Sequence, residues 1–188
     1  MLATAILIAA GTTSARASNR EALGKKAAPC AECHGPQGIS TDPTVPSLAG
    51  QPKQFITTQL VMFRDGNRKD PRMSPIATGL ANADIDDFGT YFAAQTPKPA
   101  APLADTGKVA ESRRLAEQYN CVQCHGPELR GQQHLPRLAG QQASYLATQL
   151  RGFKAGTRFD MDGVMTSAVQ ALPERDIETL AQYLSGLR

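Results

Sequence analysis

Cys30-Ala-Glu-Cys33-His34, which reappears as Cys121-Val-Gln-Cys124-His125, is the stretch that decides how this chain is read. The two copies use all 4 cysteines of the sequence. C-x-x-C-H is the attachment sequence for c-type haem. Cysteines three positions apart lie one helical turn apart on the same face, so both thiols can bond the vinyl groups of a single haem. The adjacent histidine then lies under the iron. Two copies predict two covalently bound haem c groups, and haem chemistry is mostly electron chemistry. One structural zinc on the two C-x-x-C pairs would waste both histidines. A thioredoxin-like motif would need a βαβ context, and the sequence carries none.

Outward from the two pentapeptides, the halves of the chain align with each other. Cys30 and Cys121 differ by 91 positions; after a one-residue deletion, Pro46-Ser-Leu-Ala-Gly-Gln51 matches Pro136-Arg-Leu-Ala-Gly-Gln141. Phe55 to Leu60 then matches Tyr145 to Leu150, with Phe63/Phe153 and Gly66/Gly156 in register. Two residues inserted in the second copy bring Leu80/Leu172, Asp84-Ile85/Asp176-Ile177 and Tyr91/Tyr183 into line. This is a duplicated domain of about 80 residues; two copies are too few for a solenoid. Residues 18–96 and 107–188 form the two domains, and residues 97–106 form the linker. Pro97, Pro99 and Pro102 favour an extended, semi-rigid strap there.

The pattern is all-α. Arg20–Ala28 and Lys108–Tyr119 read as helices leading into each C-x-x-C-H. Pro52–Arg64 begins on proline, carries Phe55, Ile56, Leu60 and Phe63 on one side, and has Gly66 past its end; Ala143–Lys154 repeats it. Asp84–Ala94 and Glu174–Leu184 close the two units. With no Trp and few aromatics, each unit has a thin core that a buried haem would complete, so the apo chain is expected to fold poorly.

The chain has 3 histidines, and His34 and His125 take one axial position each. Methionine is the candidate for the other, because a soft thioether favours ferrous iron and raises the potential. Met1 goes with the leader, and Met62 has Gly152 as its counterpart, which points to a core or surface role. Met73 precedes Leu80 by seven residues and Met165 precedes Leu172 by seven, whereas Met161 is out of register. Met73 is therefore assigned to the haem of His34 and Met165 to that of His125, with Met161 as the fallback. Pro46 and Pro136 follow the two histidines by 12 and 11 residues. A ligating histidine needs an acceptor for its second ring nitrogen, and a loop carbonyl can serve; a simple turn is the other reading of each proline. His134 reads as a surface residue.

The combination of C-x-x-C-H-G, P-x-L-A-G-Q, an aromatic-led helix ending Q-L-x-x-F-x-x-G, then Met and L-x-x-x-D-I resembles the dihaem cytochrome c4 family over about residues 20–188. The resemblance implies two class I cytochrome c domains in tandem, each wrapped around a covalent haem and related by a pseudo-twofold axis. It also implies His–Met iron in each domain, with the Pro46 and Pro136 carbonyls meeting the proximal histidines. Gly24 and Pro29 depart from the usual first helix and put its length in question. The implied function is periplasmic electron transfer toward a haem-copper terminal oxidase, fed by quinol:cytochrome c reductase or another donor. The runner-up is an electron-accepting cytochrome subunit of a periplasmic dehydrogenase, such as flavocytochrome c sulfide dehydrogenase, which resembles the same family. A dihaem peroxidase would need dissimilar haem sites and further catalytic side chains, whereas these copies are alike; the chain reads as an electron carrier and not an enzyme.

Leu2–Ala10 is a short apolar run followed by Ala15-Arg16-Ala17, an A-x-A-like cleavage site, so residues 1–17 read as a signal peptide cut after Ala17. The run is too short to span a bilayer. No Lys or Arg precedes it, as expected of a truncated start. Export agrees with haem attachment outside the cytoplasm and predicts a soluble protein able to dock on membrane complexes. The formal charge of +3 becomes +2 once Arg16 is removed, and four haem propionates take the holoprotein to about −2. The basic residues are therefore no argument for a nucleic-acid partner.

Overall fold

The computed structural model describes the backbone of residues 9–100 and 106–188 and the side chains of 18–100 and 109–188. Residues 1–8 of the predicted leader and 101–105 of the predicted strap lie outside them. In the first half the helices are α1 (Ala9–Ala27), α2 (Ala31–His34), α3 (Lys53–Arg64), α4 (Met73–Thr78) and α5 (Asn82–Ala93). In the second they are α6 (Thr106–Gln118), α7 (Cys121–His125), α8 (Ala143–Lys154), α9 (Val164–Ala168) and α10 (Glu174–Gly186). Among the described residues the sole β feature is an isolated bridge between Gln132 and Leu135. No described helix is long and apolar enough to cross a membrane.

Apart from α1, every expected helix ends within two residues of its predicted bounds. α1 begins far earlier than Arg20 and runs through Ala15-Arg16-Ala17. Nothing upstream breaks it: the segment is rich in alanine, and the first proline, Pro29, closes the helix in a 3-10 turn over Ala28–Cys30. Gly24 leaves the helix intact and faces the ring of Tyr91.

Each half packs its long helices the same way. α3 crosses α5 with α1 against it, and α8 crosses α10 with α6 against it. Ile56 and Phe92 are buried in the first half with Ala27; Leu146, Ile177, Leu180 and Leu184 are buried in the second. Lys26 at the end of α1 reaches Asp84 and Asp87 on α5 at 2.7 and 2.6 Å. In the second half Tyr119 donates instead to Asp176 on α10, at 2.9 Å.

Residues 97–100 lie against both halves. A Cβ on Gly50 would stand 2.8 Å from Pro97, and one on Gly140 would stand 2.9 Å from the carbonyl of Lys98. Both glycines have positive φ, 66° and 75°, so the Leu-Ala-Gly turns use glycine for its backbone and for its lack of a side chain. Ala100 N–H then donates to Ser185 O at the end of α10, at 3.0 Å.

The helix crossings use small residues in compensating pairs. In α5, a Cβ on Gly89 would meet Thr57 Cγ2 at 2.7 Å and the carbonyl of Lys53 at 3.2 Å. At the matching positions of the second half stand Ala181 and Ala147, both buried. One half thus has glycine against threonine, the other alanine against alanine. Gly89→Ala alone should lower the thermal midpoint of the holoprotein by an amount corresponding to roughly 1 kcal/mol or more of overpacking. Adding Thr57→Ala should restore it, and a double-mutant cycle on thermal unfolding measures the coupling.

Candidate haem sites

The two C-x-x-C-H segments reach the same short helix by different routes. Pro29 turns the chain into α2, whereas Asn120, in left-handed conformation at φ 56°, turns it into α7. Cys30, Cys121 and Cys124 are half-buried and Cys33 is exposed. Burial pushes the Cys30 and Cys121 thiols up.

His34 and His125 close these helices and are buried to 6% exposure each. Nδ1 of His34 lies 2.7 Å from the Pro46 carbonyl, and Nδ1 of His125 lies 2.8 Å from that of Pro136. A carbonyl only accepts, so Nδ1 carries the proton and Nε2 keeps its lone pair. Burial, the largest influence on each imidazole, holds its pKa below the usual histidine value. Both rings are thus fixed as the neutral tautomer with Nε2 available, the form that ligates a metal.

Met73 opens α4 and Met165 is the second residue of α9; both are half-buried. Their backbones are held alike. Met73 N–H donates to Asp70 Oδ1 at 3.0 Å, and Met165 N–H donates to Asp160 Oδ2 at 2.7 Å. Asp70 also accepts from Arg72 N–H, and Asp160 from Thr166 N–H and Oγ1. Burial pulls the Asp70 carboxyl upward, but the N–H groups of Met73 and Arg72 outweigh it and hold the group ionised below the usual value. The two inserted residues therefore fall between Asp160 and Met165. Met161 sits outside this arrangement, 80% exposed, and Met62 is buried in α3. His134 is on the surface. These two aspartates escaped the sequence reading, although their shared offset of 90 positions was available to find them.

A second pairing lies where the halves meet. Arg68 stacks on Phe63 and Arg158 on Phe153, each 4.4 Å from the ring centroid. Arg68 donates to Tyr145 Oη and to Gln149 Oε1, both at 3.1 Å, and Arg158 donates to the same Gln149 oxygen. Burial, then the charge of Arg68, brings the Arg158 pKa down to about 10. Arg158 Nε is the one buried side-chain nitrogen or oxygen without a hydrogen-bond partner among the described residues. A crowded cationic pair with a spare donor calls for carboxylate, the group a haem presents as propionate. Together with the thiol pairs and the oriented imidazoles, this donor set fits haem.

An all-α chain with two thiol pairs, two oriented imidazoles and a repeated methionine segment is a c-type cytochrome with two haems. The cytochrome c family model matches residues 109–188. The chain is 36% identical to cytochrome c4 of Pseudomonas aeruginosa over 99% of its own length and 98% of that protein's. It is 34% identical to a thiosulfate dehydrogenase electron acceptor of Thiomonas intermedia, over 86% of this chain and 79% of that one. The crystal structure of reduced cytochrome c4 from Pseudomonas stutzeri superposes with a TM-score of 0.82 at 30% identity, covering 90% of this chain and 98% of that one. The chain belongs to the cytochrome c4 family. It is an electron-transfer protein with two covalently bound haem c groups, and its partners are redox proteins.

The aspartates give a direct test. Asp70→Ala removes the acceptor of two backbone N–H groups and should cost about 1 kcal/mol, the usual net worth of a hydrogen bond. Chemical denaturation followed at the haem absorbance should show the lower midpoint.

Proposed function

We propose that His34 and Met73 hold one iron, in a haem bonded through Cys30 and Cys33. His125 and Met165 hold the other, bonded through Cys121 and Cys124, with Pro46 and Pro136 orienting the histidines. The observation that carries this reading is the double match between the halves: a buried histidine bound to a proline carbonyl, and a half-buried methionine held by an aspartate. The haem supplies reversible one-electron chemistry. With a histidine and a methionine on each iron, the chain's residues would leave no place for substrate and little to rearrange between redox states.

In this reading residues 18–96 and 107–188 are the two domains, 97–106 is the linker, and cleavage after Ala17 delivers the protein to the periplasm. There it carries single electrons from quinol:cytochrome c reductase or another donor to a haem-copper terminal oxidase. A second reading draws on the likeness to the thiosulfate dehydrogenase electron acceptor: the same haems would accept electrons from a periplasmic dehydrogenase, of which a flavocytochrome c sulfide dehydrogenase is one form. Reduction rates of the purified protein with each donor separate the two, and co-purification with a flavoprotein would favour the second.

Met165→Ala should lower the potential of one haem and leave the other almost unchanged in a spectroelectrochemical titration. Loss of the methionine–iron absorption in Met161→Ala instead would move the ligand to Met161. Association with the redox partner should weaken as salt is raised, because exposed charges steer the encounter; rates indifferent to ionic strength would refute that steering.

A further inference from the structure

Of the buried glutamines that cross between the halves, Gln141 and Gln51 do so at matching positions. Gln141, from the second half, accepts from Ser47 N–H at 2.7 Å and donates to Ser47 O at 2.9 Å. Gln51, from the first, accepts from Arg137 N–H at 2.9 Å and donates to Arg137 O at 2.8 Å. Backbone N–H only donates, so the orientation of both side-chain amides is fixed. Gln51 is 4% exposed and Gln141 5%. The exchange is reciprocal, as a twofold operator requires.

The peptide groups involved are the ones that hold the histidines. Ser47 N–H and the Pro46 carbonyl belong to one planar, conjugated unit, and so do Arg137 N–H and the Pro136 carbonyl. Accepting from the N–H draws electron density toward the oxygen at the other end of that unit. Hydrogen bonds in such a chain strengthen one another by roughly 10–30% each. The path runs from Gln141 through peptide 46–47 to Nδ1 of His34, and from Gln51 through peptide 136–137 to Nδ1 of His125. A better acceptor at Nδ1 makes the ring a stronger donor at Nε2, which favours ferric iron.

The geometry points to Gln141 and Gln51 as positioning residues that each tune the haem of the opposite half. Gln141 lowers the potential of the haem on His34, and Gln51 lowers that of the haem on His125. This rests on the two histidines being the axial ligands, as proposed above. The halves are then joined electronically through their proximal ligands, and the seam that packs them also sets their potentials.

The test uses the holoprotein with Gln141→Leu, Gln51→Leu and Gln141→Glu. Potentials are assigned to each haem by its NMR-resolved methyl signals, and the histidine Nδ1–H resonances are followed in the reduced protein. Gln141→Leu should raise the potential of the His34 haem more than that of the His125 haem and move the His34 Nδ1–H signal upfield. Gln51→Leu should do the converse. Gln141→Glu, which keeps an acceptor for Ser47 N–H and makes it anionic, should shift the His34 haem the opposite way. Shifts confined to the variant's own half, unmoved Nδ1–H signals, or Leu and Glu shifting together as a merely loosened seam would, overturn the proposal. If the wild-type spectra place neither histidine on iron, the ligand reading fails as well; with both on iron and no crossed shift, only the role of the glutamines fails.

Discussion

The hydrogen bond from histidine Nδ1 to a proline carbonyl, made once in each half, is the constraint on which the rest of the structure depends. It sets the tautomer, leaves Nε2 with its lone pair, and ties the C-x-x-C-H helix to the loop that follows it. The six residues that begin at each proline then do several jobs at once. Their first carbonyl receives the histidine, and their next N–H meets a glutamine from the other half. Their glycine admits the linker and their terminal glutamine crosses the seam. Compressing these contacts into one loop explains why Pro-x-Leu-Ala-Gly-Gln reads so alike in both copies, while the helices around it differ.

Much of this was legible in the sequence. C-x-x-C-H is a local covalent requirement, and helix-period apolar residues placed α3, α5, α8 and α10 to within two residues. Register between the copies singled out Met73 and Met165, whose backbone N–H groups each donate to an aspartate. The upstream reach of α1 was hidden because a leader and an alanine-rich helix look alike until something stops the helix, and Pro29 is the first residue that does. The roles of Gln51 and Gln141 were hidden for another reason: their partners lie 86 and 94 positions away. No local pattern tells a buried glutamine that crosses an interface from one that caps a loop.

The two halves are alike without being identical, and the differences are physical compensations. Gly89 and Thr57 correspond to Ala181 and Ala147, which moves a methyl group from one helix to the other. Lys26 between two aspartates is replaced by Tyr119 on Asp176. Such exchanges leave the two histidine–proline contacts matched, so the duplication yields two sites of the same kind in different surroundings. Two sites of this sort suit a carrier that passes single electrons between partners.

The central claim is that each half holds a six-coordinate iron between histidine and methionine. Spectroelectrochemical titration of the purified holoprotein tests it most directly, with haem counted per chain in the same sample. The account predicts two one-electron steps per chain, with methionine–iron absorption belonging to both ferric haems. A single haem, or a step whose ferric form is high-spin and lacks that absorption, would contradict it.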